Sequence, residues 1–203
     1  MRTAIRNTAL AAGLAAFAVS PAGAADPYKD LSIEQREMVV ALPPPPVPAA
    51  TAGSGGALAL TTTLDRADGR YRPGESVALT LETNEDAYVW VFDTGTSGRV
   101  HQIFPNEHAT DNFMRAGHAM TLPGEGAQYQ FVAAEPTGVE LLTVIASRDN
   151  TPIADHLVDR NTGAGPFLAL QGTAASVSKD LQITIPQKHP KSVVSHQVFR
   201  IVQ

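Results

Sequence analysis

The stretch "SVALTLETNEDAYVWVFDTGTSGRVHQIF", residues 76–104, decides the fold class. Its first eight residues alternate apolar and polar side chains, which is typical of a half-buried β-strand. Residues 87–93 are apolar on both faces and predict a central strand that is covered on two sides. The segment TGTSG predicts a turn, and residues 99–104 predict the returning strand of a hairpin. The stretch therefore indicates an all-β fold built from antiparallel neighbours.

Further short strands are predicted on either side of this stretch. One covers residues 58–65, and the others cover the segments HAMTLP, AQYQFVA, VELLTVIAS, DLQITI and VVSHQVFRIV. Gly and Pro bound most of these segments, and Pro73 with Gly74 fits the central positions of a type II turn. About nine short strands within residues 57–203 predict one antiparallel β-sandwich domain with an immunoglobulin-like form.

The last third of the chain contains one irregular segment and one strong strand. Residues 150–178 are expected to hold a short helix at 153–158 within an insertion rich in Gly, Ala and Ser. The final strand has Val193, Phe199 and Ile201 on one face and further valines on the other. Because an edge strand is rarely apolar on both faces, we expect this strand to lie inside a sheet. A detachable strand that pairs with another protein is the alternative.

The first 24 residues have the composition of a secretory signal peptide. Arg2 and Arg6 precede an uncharged apolar run at residues 8–20, and the small residues at 22–24 predict cleavage after Ala24. The run is shorter than the roughly 20 residues that a transmembrane helix needs. We therefore expect a periplasmic or secreted protein without stable membrane insertion, with an uncleaved anchor helix as the alternative.

Residues 25–56 predict a short helix and a Pro/Gly-rich linker ahead of the sandwich. The helix is expected within residues 30–42, with Ser32 as its N-cap. The segment PPPPVP at 43–48 favours polyproline II, and a Gly-rich flexible segment follows it. We interpret the whole segment as a disordered leader, and a docking peptide on a semi-rigid spacer is the alternative.

The composition excludes several classes of protein. The 203 residues include no cysteine, so thiol catalysis, thiolate metal sites and disulfides are excluded. The formal net charge is −5 and becomes more negative once Arg2 and Arg6 leave with the signal peptide, which argues against a nucleic-acid partner. The motifs of serine hydrolases, zinc proteases and phosphate-binding loops are missing. We therefore expect no enzyme and no cofactor.

The densest group of polar residues lies in "HQIFPNEHATDNFMRAG", residues 101–117. The candidate residues of a ligand- or partner-binding loop are Asn106, Glu107, His108, Asp111 and Asn112. Since Asn and Asp also bond to nearby backbone groups, the favoured interpretation is a structural turn, with a binding loop as the alternative. The spacings of His101, His108 and His118 are not those of a zinc site, so no metal is expected.

Two other groups of side chains have a structural interpretation. Three acidic residues cluster near one turn: Glu82, Glu85 and Asp86. We interpret them as a solvated rim rather than a catalytic pair, and no base is expected beside a serine or threonine nucleophile. Three aromatic residues share one face of the central strand: Tyr88, Trp90 and Phe92. We interpret them as core, and a stacking surface for cell-wall sugars is the alternative.

The order of strands and turns resembles the bacterial domain family DUF4384 over about residues 58–148. The resemblance rests on the Arg-Pro-Gly-Glu turn, Phe92-Asp93, Phe104-Pro105-Asn106, Asp111-Asn112, Ala116-Gly117 and Pro123-Gly124. It implies a β-rich module of the kind often exported or appended to other domains in envelope and signalling proteins, and it assigns no activity.

Together with the expected export, this resemblance suggests a non-enzymatic accessory or protein-interaction module of the cell envelope, with an unidentified envelope protein as partner. A binding module for an envelope glycan or small ligand is the alternative, and an uncharacterised hydrolase is a third class.

Overall fold

The computed structural model describes residues 28–41, 57–161 and 165–203. The predicted signal peptide and the Pro- and Gly-rich parts of the linker lie outside the described residues. The described strands are β1 (Leu60–Leu64), β2 (Arg70–Tyr71), β3 (Ser76–Val77), β4 (Leu79–Thr83), β5 (Ala87–Thr94), β6 (Val100–Phe104), β7 (Phe113–Met114), β8 (Met120–Leu122), β9 (Phe131–Val132), β10 (Gly138–Ser147), β11 (Leu168–Ala169) and β12 (Val193–Ile201). The helices are α1 (Ile33–Ala41), α2 (Ala174–Lys188) and a 3-10 helix (Asp155–Leu157).

Two sheets pack face to face. The larger sheet has the order β11-β6-β5-β10-β12-β2, with β7 also paired to β5, and the smaller has the order β1-β4-β8. Strands β3 and β9 form a separate pair. The pairings are antiparallel apart from β12 with β2, which is parallel. Because apolar side chains from both sheets form one core between them, the predicted all-β sandwich is confirmed.

The central strand β5 is buried on both faces, as its composition predicted. Val89 and Val91 point into the core between the sheets, whereas Trp90 and Phe92 belong to a second core beneath the helices. Trp90 is 3% exposed, and its ring lies 5.4 Å from that of His189. The interpretation of Trp90 and Phe92 as core residues is confirmed, so they do not form a stacking surface for sugars.

Residues 180–185, which were predicted to form a strand, lie instead in helix α2. The helix begins with a capping box, in which Thr173 Oγ1 accepts from the Ser176 N–H at 3.4 Å and Ser176 Oγ accepts from the Thr173 N–H at 2.9 Å. Buried apolar residues recur at helical spacing: Val177, Leu181 and Ile185. The strand prediction was wrong because six alternating residues are too few to distinguish a strand from a helix.

Helix α1 confirms the helix expected near residues 30–42, and it packs against the sandwich. Ser32 caps it, since the Gln35 N–H donates to Ser32 Oγ at 3.2 Å and Gln35 Oε1 accepts from the Ser32 N–H at 3.0 Å. The Gln35 amide also donates to the carbonyls of Thr94 and Val139 in β5 and β10. With Met38 fully buried as well, the helix docks on the large sheet of its own chain, so the interpretation of this part of the segment as a disordered leader was wrong.

Strand β12 lies inside the large sheet, as predicted. It pairs along its whole length with β10 and, at its end, with β2. Ser195 and Gln197 also bond to the Thr62 side chain of β1, each at 2.8 Å. Within the described ranges, no helix has both the length and the apolar character that a membrane crossing requires.

The Arg-Pro-Gly-Glu turn has the predicted geometry and anchors a neighbouring segment. Gly74 has φ +90°, which suits the third position of a type II turn, and the Arg72 carbonyl accepts from the Glu75 N–H at 3.0 Å. The Glu75 carboxylate accepts from the Arg72 N–H at 2.7 Å. Since the Gly74 N–H also donates to the Ala133 carbonyl at 2.8 Å, the turn fixes the segment that follows β9.

Candidate functional site

The polar loop at residues 105–112 bonds mainly to backbone groups of its own surroundings. Asn106 is 4% exposed, and its amide donates to the Ile103 carbonyl at 2.8 Å. Its Oδ1 accepts from the N–H groups of His108 and Ala109 at 2.9 and 3.0 Å. Donor and acceptor of this side chain are therefore both used, and the residue holds the start of the loop.

Asp111 and Asn112 hold the end of the same loop. Asp111 Oδ1 accepts from the Phe113 N–H at 3.0 Å. The Asn112 amide donates to the Val89 carbonyl at 3.2 Å, and the Asn112 carbonyl accepts from the Val89 N–H at 2.9 Å. These contacts support the structural interpretation of the loop.

The loop also contacts the segment that carries Phe167, one of three packed aromatic rings. The Glu107 N–H donates to the Pro166 carbonyl at 3.2 Å, next to Phe167. The Phe167 ring lies 6.1 Å from that of Tyr129 and 5.7 Å from that of Phe131. The side chains of Glu107 and His108 are exposed, and ligand or partner binding by them stays a prediction.

The histidines considered for a metal site are not brought together. His101 lies on the inner face of β6, whereas His108 and His118 are exposed. In the part of the chain that the structure describes, no three His, Cys, Asp or Glu side chains are close enough to hold a metal ion.

The acidic residues near residue 85 have the contacts of a rim. Glu85 pairs with Arg148, and Asp86 Oδ1 accepts from the Ala116 N–H at 2.9 Å. Glu82 is exposed. These contacts agree with the interpretation as solvated charges.

Contrary to expectation, the structure places a histidine beside a buried hydroxyl group. His196 Nδ1 and Thr143 Oγ1 are 3.1 Å apart. His189 Nδ1 and Ser147 Oγ are 2.9 Å apart. Both residues are 1% exposed, and burial lowers the pKa of His189. Neither residue lines either of the cavities described next, and the His189 ring packs against Trp90 in the core beneath the helices.

A partly open cavity of about 220 Å³ lies against the inner face of the large sheet. Apolar side chains form much of its wall, among them Ile103, Phe131, Leu142, Phe167 and Phe199. Its polar residues are Asp93 and His101. A second cavity of about 210 Å³ shares Asp93 and His101 with the first and extends to Glu140.

Three neighbouring strands place the polar side chains of this site. Asp93 follows Val91 at period two on β5, so it faces inward, and it lies opposite His101 of β6 and Leu142 of β10. Glu140 precedes Leu142 by two residues and shares its face. Asp93 and Glu140 are therefore diagonal neighbours on adjacent strands, and their carboxyl groups hydrogen-bond.

The pKa values of both carboxyl groups in this pair are raised above those of ordinary carboxyl groups. Burial raises the pKa of Asp93 well above its usual value, and the charge of Glu140 and the hydrogen bond to it raise it further. Burial also raises the pKa of Glu140, against the opposing effects of the Thr96 N–H, which donates to Oε1 at 3.3 Å, and of Asp93. Since both pKa values are raised, the pair retains a proton at pH values at which ordinary carboxyl groups are ionised.

The surroundings do not neutralise the pair. Burial lowers the pKa of His101, and the charge of Arg99 lowers it further, so the imidazole is neutral at neutral pH. Among the described residues, neither Asp93 nor Glu140 forms an ion pair with a Lys or Arg side chain. One negative charge is therefore left on the pair when it holds a single proton.

One oxygen of Asp93 also lacks a partner. Oδ1 is buried and has no hydrogen bond within the described structure, a state that typically costs about 1–3 kcal/mol. Four further buried atoms share this state, and they belong to Thr83, Thr94, Gln102 and His189. None of those residues lines either cavity, whereas Asp93 lines both. This combination marks the cavity over Asp93 as the candidate site.

The sequence reasoning did not identify this site. In the sequence, Asp93 is only the end of a strand motif, and no motif contains Glu140. The available signal was a single acid within each of two otherwise apolar segments, AYVWVFD and VELLTVIAS. Such acids are costly to bury, which makes them candidates for function.

The fold and the cavity define a β-sandwich module with a small recess over a carboxyl pair. Residues 70–150 match the family model of DUF4384, which is described as a domain of unknown function. This segment is therefore a DUF4384 domain, and it contains Asp93, His101 and Glu140. No curated protein and no solved structure matches the chain.

Proposed function

We propose that this chain is a non-enzymatic accessory module of the cell envelope, which recognises a partner through the cavity over Asp93. The observation that carries the proposal is a buried, unpartnered carboxyl oxygen on a residue that lines a partly open, aromatic-walled cavity. Perturbed ionisable groups in a concave, mostly apolar recess are typical of binding sites. The polar loop at 105–112 offers no comparable unpaired buried group.

Export to the periplasm rests on the composition of residues 1–24. Cell fractionation followed by N-terminal sequencing is expected to recover the protein from the periplasm with Ala25 as its first residue. Recovery from the cytoplasm with residues 1–24 intact would contradict export.

The geometry of the acids supports binding rather than catalysis. Glycosidases hold their two carboxyl groups about 5–9.5 Å apart, with room for substrate or water between them. Asp93 and Glu140 are instead in direct hydrogen-bond contact. The pair resembles the two acids of an aspartic protease in sharing a proton, but a cavity of about 220 Å³ is too small for an extended peptide.

The cavity volume also favours a second candidate, the binding of a small free ligand. Pockets for drug-sized ligands typically have volumes of about 300–1,000 Å³, so this cavity fits a smaller fragment. An oligosaccharide is less well supported, because Trp90 and Phe92 are buried beneath the helices.

Site-specific photo-crosslinking in living cells tests the proposed recognition site. A photoreactive residue at Val132, which is 45% exposed at the cavity, is compared with one at His108 on the polar loop. We expect a discrete adduct with an envelope protein from position 132, its loss in Asp93→Asn, and none from position 108. An adduct formed only from position 108 would assign recognition to the loop.

A further inference from the structure

We infer that the cavity over Asp93 receives a small organic cation, namely an ammonium group on a short apolar chain, which is the chemistry of a lysine side chain. The inference rests on the proposed function and names the chemical class that the site binds. It draws on the charge of the site, its walls and its unpaired acceptor.

The charge of the site favours a cation. Glu140 is 8% exposed and bonds to Asp93, and no described Lys or Arg side chain pairs with either carboxyl group. A buried negative charge without a counter-ion is costly, and an incoming ammonium group removes that cost. An anionic ligand would add repulsion in the same recess.

The walls of the site suit an apolar chain behind the charged group. Phe131, Phe167 and Phe199 line the cavity together with Ile103 and Leu142. Aromatic rings attract cations through their negative faces, and aliphatic side chains pack against methylene groups. The volume of about 220 Å³ accommodates a chain of roughly lysine length.

The unpaired oxygen of Asp93 provides a hydrogen-bond acceptor that can orient the ammonium group. Asp93 Oδ1 lacks a hydrogen-bond donor, and the rest of the side chain lines the cavity. Rotation about the Cβ–Cγ bond of aspartate has a broad, roughly two-fold profile, so turning this oxygen toward an incoming donor needs no strained side-chain conformation. An ammonium group has three donors, enough to bond Asp93 and Glu140 together.

Two charged residues border the adjoining cavity and affect the strength of binding. Arg99 lines it and acts on His101, and Glu135 lines it from the segment before β10. The positive charge of Arg99 opposes an incoming cation. Arg99→Gln is therefore expected to bind the cation more tightly than the wild type.

The test is a calorimetric titration of the purified protein with n-butylammonium, with n-butanol as the uncharged probe of matched length. We expect saturable binding of n-butylammonium and none of n-butanol at the same concentrations. Binding should weaken between pH 8 and pH 5, because protonation of both carboxyl groups removes the negative charge. Equal binding of both probes, or binding independent of pH, would overturn the inference.

Two isosteric variants and one matched control assign the binding to the cavity. Glu140→Gln is expected to weaken n-butylammonium binding about tenfold or more, since it removes a charge-assisted hydrogen bond. Asp93→Asn leaves the charge of Glu140 in place and is expected to weaken binding less. Asp155→Asn also replaces an acid by its amide, at an exposed residue that lines neither cavity, and it should bind as the wild type does. Wild-type affinity in both cavity variants would overturn the inference. If either variant fails to fold, the pH dependence of the wild type decides.

A lysine peptide with blocked ends separates the two sources of this chemistry. Tighter binding of the peptide than of n-butylammonium indicates a protein side chain, and tighter binding of the free amine indicates a small metabolite. If neither cation binds while crosslinking from position 132 persists, this inference fails and the proposed function stands. If the cations bind and no crosslink forms, this inference stands and the proposed recognition of a protein partner fails.

Discussion

The polar loop at residues 105–112 and the cavity over Asp93 differ in how their polar atoms are used. In the loop, Asn106, Asp111 and Asn112 each bond to backbone groups within a few residues or on the neighbouring strand. In the cavity, Asp93 retains an unpartnered oxygen, and no described cation pairs with its neighbour Glu140. The loop has more polar residues in its sequence, yet the buried acceptor without a hydrogen bond lies at the cavity.

This difference has a simple energetic basis. A buried amide whose hydrogen bonds are all made stabilises the fold and has no free donor or acceptor for a ligand. A buried acceptor without a hydrogen bond destabilises the fold, and a donor from a ligand removes that cost. Polar residues close together in sequence reach one another's backbone readily, so they tend to satisfy themselves. Isolated acids in apolar strands have no such local partners.

The largest expected effect comes from removing the strand on which both regions depend. Deletion of residues 192–203 removes β12, which pairs along its length with β10, the strand that carries Glu140. We expect an aggregated or unfolded chain without a cooperative thermal transition. A truncated protein that melts near the full-length value would show that β12 is dispensable and would favour a donated strand.

A smaller but still large effect is expected in the loop at Asn106. Asn106→Ala leaves the Ile103 carbonyl and the His108 N–H without this partner, which should lower the free energy of unfolding by about 2–4 kcal/mol. The Ala109 N–H keeps the backbone carbonyl of residue 106 as its acceptor. Urea denaturation measures the change. His108→Ala, at an exposed side chain of the same loop, should stay within about 0.5 kcal/mol of the wild type.

The end of the loop should respond in the same direction and less strongly. Asp111→Ala and Asn112→Ala are each expected to lose about 0.5–2 kcal/mol, with the larger loss at the buried Asn112. Thermal melts and partner pull-down are compared for both variants. Wild-type melting together with loss of the partner would make the loop a binding site after all.

The smallest expected effect is in the cavity and depends on pH. Because the pKa of Asp93 is raised on folding, its contribution to stability is present below about pH 4 and is lost as pH rises through the folded pKa. Asp93→Asn keeps a donor for Glu140 and removes this dependence. In urea denaturation, the free energy of unfolding of the variant should rise relative to that of the wild type as pH increases from 4 to 8. A difference in this free energy that stays constant with pH would contradict the raised pKa.

The sequence predicted the sandwich because local patterns dominate there. The two-sided apolar character of residues 87–93 predicted β5, and the position of Gly74 predicted its turn. The strand predicted at 180–185 was wrong because the helical period becomes visible only over the whole of α2. The docking of α1 depends on Gln35 reaching carbonyls of distant strands, which no local pattern contains.

The candidate site could not be predicted for the same reason. Asp93 and Glu140 meet only through the register of β5 against β10, and Phe167 reaches the cavity from the segment before β11. The hydrogen bonds of the loop, by contrast, agree with its interpretation as a turn, and the partners of Asn106 and Asp111 are close in sequence. The spacing of residues in the sequence predicts local contacts. Contacts across a sheet can be predicted only when the pairing of the strands is known.

The most direct test of the claim that recognition resides in the cavity is an amide-resolved NMR titration of the protein with n-butylammonium. We predict that the signals of Thr96, His101 and Glu140 shift in a saturable manner, while those of His108 and Asp111 remain in place. Saturable shifts concentrated in residues 106–112, with the cavity signals unchanged, would contradict it.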